Sequence, residues 1–147
     1  MNYTKAKNST RILALDYGEK RVGLAISDLM QIIAKPFKTL NNISNNNIFD
    51  QLKIIIEEKS IDKIVVGLPT TLSNNESTQT KIVNQFINEL EIAVNIPVIS
   101  YDERLTSIEA KRSLVAQGVK TGHNKGEVDM TAAAIFLQNY LDEKSII

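Results

Sequence analysis

Residues 13–25 are LALDYGEKRVGLA, an apolar run that ends on a lone carboxylate, Asp16, and turns through Gly18 into a second apolar run. Two such runs, joined by a short turn whose glycine can adopt positive φ, predict a β-hairpin with strands over 11–17 and 21–28. An ionised carboxylate at the end of a buried strand is costly unless a cation or hydrogen bonds meet it. Asp16 therefore needs a metal ion, a basic partner or a capping role. Metal binding is the most specific of these three hypotheses.

After the hairpin, the apolar pattern predicts strands that alternate with helices. The predicted elements cover, in order, residues 36–40, 48–59, 63–68, 77–90, 97–102, 106–117 and 127–142. We expect two longer loops, an asparagine-rich one at 41–47 and a glycine-containing one at 118–126. The order β-β-β-α-β-α-β-α-α predicts an α/β fold: a mixed sheet with three antiparallel strands first and parallel strands afterwards, flanked by helices.

Length and composition are typical of one globular domain. The chain has 147 residues, of which 43% are hydrophobic and 23% charged, and it contains no cysteine. We expect a flexible extension over residues 1–10 and a single domain over 11–147. Without an apolar run of membrane-spanning length or a signal-peptide core, the sequence predicts a cytoplasmic protein that makes no membrane contact. The lack of cysteine excludes disulfides, thiolate zinc sites and cysteine nucleophiles.

The overall charge does not favour a strongly basic nucleic-acid-binding domain. The chain carries 17 Lys and Arg and 17 Asp and Glu residues, so its formal net charge is zero. Residues 104–125, however, hold five basic side chains and one acid, enough for a local stripe that faces phosphates. The candidate substrate-binding residues are Arg104, Lys111, Arg112 and Lys125. Lys111 and Arg112 are equally well explained as solvated charges of the predicted helix.

Three carboxylates stand at the ends of predicted core elements: Asp16, Glu103 and, in the first turn of the last helix, Asp129. Ligands of open α/β sheets lie beyond the carboxyl ends of the parallel strands, where two of these acids would converge. Carboxylates with water and a substrate phosphate suit Mg²⁺ or Mn²⁺. Two such ions about 4 Å apart can activate a water and stabilise the leaving oxygen of a phosphodiester. Structural explanations also exist: Asp129 would suit its helix dipole, and only one of Asp102 and Glu103 can face the site.

Four phrases, in order over residues 11–142, resemble the YqgF family. They are RILALDYG with Ser27 and Asp28, IVVGLP, DERLT, and DMTAA with Gln138 and Leu141, and they begin at Arg11, Ile64, Asp102 and Asp129. The resemblance implies an RNase H-like fold and a two-metal nuclease site with Asp16, Glu103 and Asp129 as catalytic residues and metal ligands. It also implies a nucleic-acid substrate. Members are described as candidate Holliday junction resolvases and as nucleases that mature the 5′ end of the 16S rRNA precursor, and we favour the ribosomal role, with a ribosome precursor as partner.

Other functions remain open. A resolvase of branched DNA needs two active sites and hence a homodimer, and the sequence leaves monomer and homodimer open. The hairpin with Asp16 also resembles the phosphate hairpin of actin, Hsp70 and sugar-kinase ATPases, which clamp nucleotide between two such domains. A hydrolytic triad would have to use His123, the only histidine. An RNA-binding assembly factor without catalysis is a further alternative, motivated by the neutral net charge.

Overall fold

The chain folds into a mixed β-sheet with helices on both faces. The computed structural model describes residues 9–68, 78–102 and 125–145. In chain order, the described elements are β1 (Arg11–Tyr17), β2 (Arg21–Ser27), β3 (Ala34–Asn41), α1 (Asn45–Glu58), β4 (Ile61–Leu68), α2 (Thr78–Ala93), β5 (Val98–Asp102) and α3 (Lys125–Ser145). Among these residues no helix is both long and apolar enough to cross a membrane.

The sheet has the order β3-β2-β1-β4-β5. β1 pairs antiparallel with β2, and β2 with β3. β4 pairs parallel with β1, and β5 with β4. This confirms the predicted fold class, and it brings the carboxyl ends of β1, β4 and β5 to one edge of the sheet.

Strand alternation separates the core into two layers. On one face, Leu13, Leu15 and Leu24 pack with buried residues of α1 and α2 such as Leu52 and Phe86. On the other, Ile12, Ala14 and Ala25 pack against Ala133, Phe136 and Leu137 of α3. The α3 face is lined by smaller side chains, which lets this helix approach the sheet closely.

Hydrogen bonds at several points fix α3 over the sheet. Gln138 accepts a hydrogen bond from the Ala34 amide and donates one to the Ile32 carbonyl, both at 2.9 Å. Near the start of the helix, the Thr39 hydroxyl donates to the Gly126 carbonyl at 2.8 Å. Because the helix is tied at Gly126 and at Gln138, the residues between these two points are held at a defined height above β2.

Several predicted boundaries were wrong by a few residues. The third strand starts at Ala34 rather than at residue 36. The asparagine-rich loop is shorter than predicted, because the Ser44 hydroxyl accepts from the Asn47 amide and starts α1 at Asn45. α3 starts at Lys125, inside the predicted loop 118–126. The helix predicted at 106–117 lies outside the described residues.

The turn between β1 and β2 requires glycine for space. A Cβ atom on Gly18 would lie 2.7 Å from the carbonyl oxygen of Arg21, and φ of Gly18 is not in the left-handed range. Gly18 therefore does not use the positive φ that it could adopt. Asn42 closes the turn, since its Nδ2 donates to the Gly18 carbonyl and its amide to the Lys20 carbonyl, at 2.8 and 2.9 Å.

The loop after β2 is organised by one carboxylate, Asp28. Its Oδ1 accepts from the amides of Ile32 and Ile33 at 2.8 and 2.9 Å, and its Oδ2 accepts from the Met30 amide at 3.2 Å. These bonds, led by the one from Ile33, hold the pKa of Asp28 below its usual value although partial burial opposes them. The carboxylate is an acceptor for three backbone amides that would otherwise have only water.

We expect Asp28→Ala to lower the free energy of unfolding at neutral pH by about 1 kcal/mol, as for the loss of a helix cap. Because the folded pKa lies below the unfolded value of about 3.9, the contribution of the charge is complete above that pH and is lost as pH falls through the folded pKa. Urea unfolding of wild type and variant between neutral and acidic pH measures this difference. Asp28→Asn is the matched control: it keeps one acceptor oxygen and should lose mainly the pH dependence. A constant difference between Asp28→Ala and wild type at all pH values would contradict the assignment.

Candidate active site

Asp16 lies on the α3 face of the sheet, close to the carboxyl end of β1. Ile12 and Ala14 of the same strand pack against α3, and side chains two residues apart in a strand share a face. The cross-strand partner of Asp16 is Gly23 of β2. Asp16 is half-buried, so its carboxylate is partly shielded from water. Its partner Gly23 has no side chain that could cover it.

Gly23 makes room for the backbone of Asp129. A Cβ atom on Gly23 would lie 2.4 Å from the carbonyl carbon of Asp129 and 2.5 Å from its oxygen. α3 therefore passes directly over Gly23, at a distance that no other residue type would allow. Antiparallel partners have Cα atoms about 5 Å apart, so Asp16 is also an immediate neighbour of Gly23. The structure therefore brings Asp16 and Asp129, two predicted site residues, together.

Arg21 completes the described cluster. Its Nε donates to Oδ2 of Asp129 at 3.0 Å, with 32% and 25% of the two side chains exposed. Arg21 precedes Gly23 by two residues on β2 and therefore shares its face. The ion pair orients the Asp129 carboxylate and brings a positive charge to a place where two carboxylates converge.

Asp129 was predicted in the first turn of its helix, where it would interact with the helix dipole. α3 begins earlier than predicted, and the acidic residue of its first turn is Glu127. The dipole explanation therefore fits Glu127 better. The position of Asp129 over Gly23 is better explained by the cluster it forms with Asp16 and Arg21.

The last residue of β5, Asp102, lies on the face of the sheet opposite to α3. Tyr101 stacks on Phe136 of α3, with ring centroids 6.2 Å apart, so strand alternation turns the next residue, Asp102, away from the α3 face. Among the residues that the structure describes, no group of three or more Asp, Glu, His or Cys could hold a metal ion. The predictions for Glu103, Arg104, Lys111 and Arg112 lie outside the described residues, as does the side chain of Lys125.

The donors of this cluster suit a hard cation. Asp16 and Asp129 supply carboxylate oxygens on one face, and Mg²⁺ and Mn²⁺ prefer such ligands and retain waters for the remaining positions. Sequence reasoning found both acids but missed Arg21 and Gly23. The available signal was the register of the hairpin, in which Tyr17 pairs with Val22 and Asp16 with Gly23.

A family model and two relatives match nearly the whole chain. The family model described as RuvX, Holliday junction resolvase, matches residues 10–143. A relative from Chloroflexus aurantiacus, named "Putative pre-16S rRNA nuclease", is 39% identical over 137 residues, which are 93% of this chain and 90% of the relative. A relative of the same name from Thermoanaerobacter pseudethanolicus is 40% identical over 135 residues, 91% of this chain and 97% of the relative.

Solved structures show the same fold at low sequence identity. The RuvC protein of T. thermophilus in complex with a Holliday junction substrate is 12% identical with a TM-score of 0.57, and the match covers 92% of this chain and 96% of that one. The yeast mitochondrial Holliday junction resolvase Ydc2 is 12% identical with a TM-score of 0.56, covering 93% and 80%. The predicted RNase H-like fold and the predicted nuclease family are confirmed. By the match over residues 10–143 and by its close relatives, the chain belongs to the RuvX family, also called YqgF.

Proposed function

We propose that this protein is a metal-dependent nuclease that hydrolyses phosphodiester bonds and processes the 5′ end of the 16S rRNA precursor in the cytoplasm. The convergence of Asp16 and Asp129 on Gly23 carries this proposal. The name shared by the relatives supports the ribosomal substrate. A carboxylate pair at the carboxyl end of a central strand is a suitable place to bring hard cations to a substrate phosphate.

In this proposal, Asp16 and Asp129, with Glu103 as the third ligand, would hold one or two Mg²⁺ or Mn²⁺ ions. Such ions would activate a water and stabilise the charge on the leaving oxygen. Arg21 donates to Oδ2 of Asp129 and so orients that carboxylate. No side-chain nucleophile is required. Arg104, Lys111, Arg112 and Lys125 are the proposed contacts to the substrate phosphates.

Cleavage of four-way DNA junctions is the second candidate function, favoured by the description of the matching family. Symmetric cleavage of a junction needs two active sites related by a two-fold axis. A resolvase would therefore act as a homodimer, whereas rRNA processing sets no such requirement. The oligomeric state thus helps to separate the two candidates.

Parallel cleavage assays test the proposal. Purified protein is incubated with a 5′-extended 16S precursor fragment and with a four-way DNA junction, each with Mg²⁺, with Mn²⁺ and with excess chelator. We expect metal-dependent cleavage of the precursor that the chelator abolishes. Symmetric cleavage of the junction alone would instead support the second candidate function, the resolution of four-way DNA junctions. Cleavage of neither substrate, at protein concentrations that bind both, would contradict the nuclease proposal.

Replacement of Arg21 tests the role of the ion pair. We expect Arg21→Gln to lower the cleavage rate about tenfold at low metal concentration, because Asp129 loses the partner that orients it. The free energy of unfolding should change by less than about 1 kcal/mol, since the pair is partly exposed. Rates measured across a Mg²⁺ titration check this. Arg21→Lys is the matched variant: it keeps the charge without the Nε donor, so recovery of the full rate would show that charge alone is needed.

A further inference from the structure

A basic cavity lies on the opposite face of the sheet from the carboxylate cluster. It has a volume of about 310 Å³ and is lined by Arg11, Ile26, Ser27, Asp28, Lys35, Phe37 and Lys59. Arg11 is on the face of Leu13 and Leu15, which pack against α1 and α2. It lies five residues before Asp16, or about 17 Å along the strand. The cavity and the carboxylate cluster are therefore separate sites.

Three cations line this cavity without an acidic partner in the described residues. Among the described residues the structure gives one ion pair, Arg21 with Asp129 on the other face of the sheet, and none at Arg11, Lys35 or Lys59. Arg11 donates one hydrogen bond, from Nη1 to the Lys59 carbonyl at 2.9 Å, which fixes its guanidinium at the end of α1. A guanidinium has five donors, so Arg11 retains donors for a ligand.

Asp28 is the one acid of the cavity lining, and its oxygens are already engaged. Both accept hydrogen bonds from amides of the 28–33 loop, and these partly balance its charge. The lining is therefore positive overall, with three cations against one carboxylate. A cavity of this kind favours an anion.

A β-bulge directs an aromatic ring to the same place. The register of β2 with β3 shifts so that Leu24 pairs with Lys38 and Ala25 with Pro36, which leaves Phe37 as the extra residue. Bulges commonly re-aim a side chain. The ammonium groups of Lys38 and Lys59 lie 5.4 and 5.7 Å from the centroid of the Phe37 ring. These cation–π contacts hold two positive charges beside an apolar side chain of the cavity.

We propose that this cavity binds one nucleotide unit, its phosphate held by Arg11, Lys35 and Lys59 and its base against Phe37 and Ile26. The cations supply charge-assisted hydrogen bonds to phosphate, and the apolar wall distinguishes a nucleotide from inorganic phosphate. The volume is at the lower end of the range for small-molecule sites, which suits a mononucleotide. The unit comes from a free nucleotide or from a nucleic-acid strand, and the site is independent of cleavage because it is remote from Asp16.

Binding measurements on Asp16→Asn protein, in which cleavage plays no part, test this proposal. The probes are adenosine 5′-monophosphate, adenosine, inorganic phosphate and a labelled single-stranded RNA of about 20 nucleotides. We expect adenosine 5′-monophosphate to bind more tightly than adenosine or phosphate. Adding Lys35→Glu and Lys59→Glu together should lower its affinity at least about tenfold. The matched control adds Lys53→Glu and Lys81→Glu, two exposed lysines outside this cavity, and should stay within about twofold of the parent.

The probes separate the two sources of the nucleotide unit. Loss of mononucleotide binding in the Lys35 and Lys59 variant would establish a free-nucleotide site. Loss of RNA affinity with a shallower salt dependence, and no measurable mononucleotide binding, would establish contact with a strand. Equal affinities of that variant and of the control variant for both probes would overturn the proposal, whatever the outcome of the cleavage assays.

Discussion

Replacement of Asp16 by asparagine is expected to lower the rate of metal-dependent cleavage at least about 10³-fold, equivalent to about 4 kcal/mol of transition-state stabilisation. Asp16 is the carboxylate nearest the end of the central strand β1, and its partner Gly23 is covered by Asp129. An amide has nearly the same shape but carries no charge, so a cation held at this point loses a ligand that neutralises it. The measurement is the single-turnover rate at saturating Mg²⁺.

Thermal unfolding distinguishes a lost ligand from a lost fold. In metal-free buffer the two convergent carboxylates repel each other, and Arg21 offsets only part of this, so Asp16→Asn should unfold at the same temperature as the wild type or a higher one. Asp50→Asn, the same change at an exposed position of α1, is the control and should retain the wild-type rate. A rate above about one tenth of wild type in Asp16→Asn would show that Asp16 is not part of the catalytic site.

The sheet and two acids of the candidate site, Asp16 and Asp129, could be predicted because their signals are local. Apolar runs on either side of Gly18 predicted the hairpin, and the later alternation of strands with helices predicted the parallel half of the sheet. A charge at the end of a buried run stands out against its neighbours, which is why Asp16 was found without any knowledge of the fold. Asp129 was also found, although its place within the helix was wrong.

The remainder depends on contacts between distant parts of the chain. Arg21 and Asp129 are 108 residues apart in sequence, and nothing near either residue indicates the other. Gly23 looked like one small residue of an apolar strand, and its role is visible only when α3 is placed over it. The bulge at Phe37 is equally hidden, since it arises from the pairing of β3 with β2 rather than from β3 alone.

We expect Gly23→Ala to lower the free energy of unfolding by about 3 kcal/mol. The added Cβ atom would lie 2.4 Å from the backbone of Asp129, whereas carbon atoms in contact are normally about 3.5 to 4 Å apart. The obstacle is helix backbone rather than the end of a flexible side chain, so α3 must move away by about 1 Å. Urea unfolding measures the loss, with Gly126→Ala as the matched control in the same interface. There the nearest atom, Oγ1 of Thr39, is at 3.5 Å, and alanine should stabilise the helix by up to about 1 kcal/mol.

The same substitution should affect cleavage in the protein that remains folded. A shift of α3 by about 1 Å carries Asp129 away from Asp16, and a misplacement of that size can cost about 10² in rate. Because the carboxylates are unchanged, a higher metal concentration should recover part of the loss in Gly23→Ala, whereas in Asp16→Asn it should recover none. Cleavage rates of both variants across a Mg²⁺ titration, at a temperature well below their unfolding transitions, test this difference. Wild-type cleavage by a correctly folded Gly23→Ala would show that the close passage of α3 over β2 serves packing alone, and that catalysis does not depend on the spacing between Asp16 and Asp129.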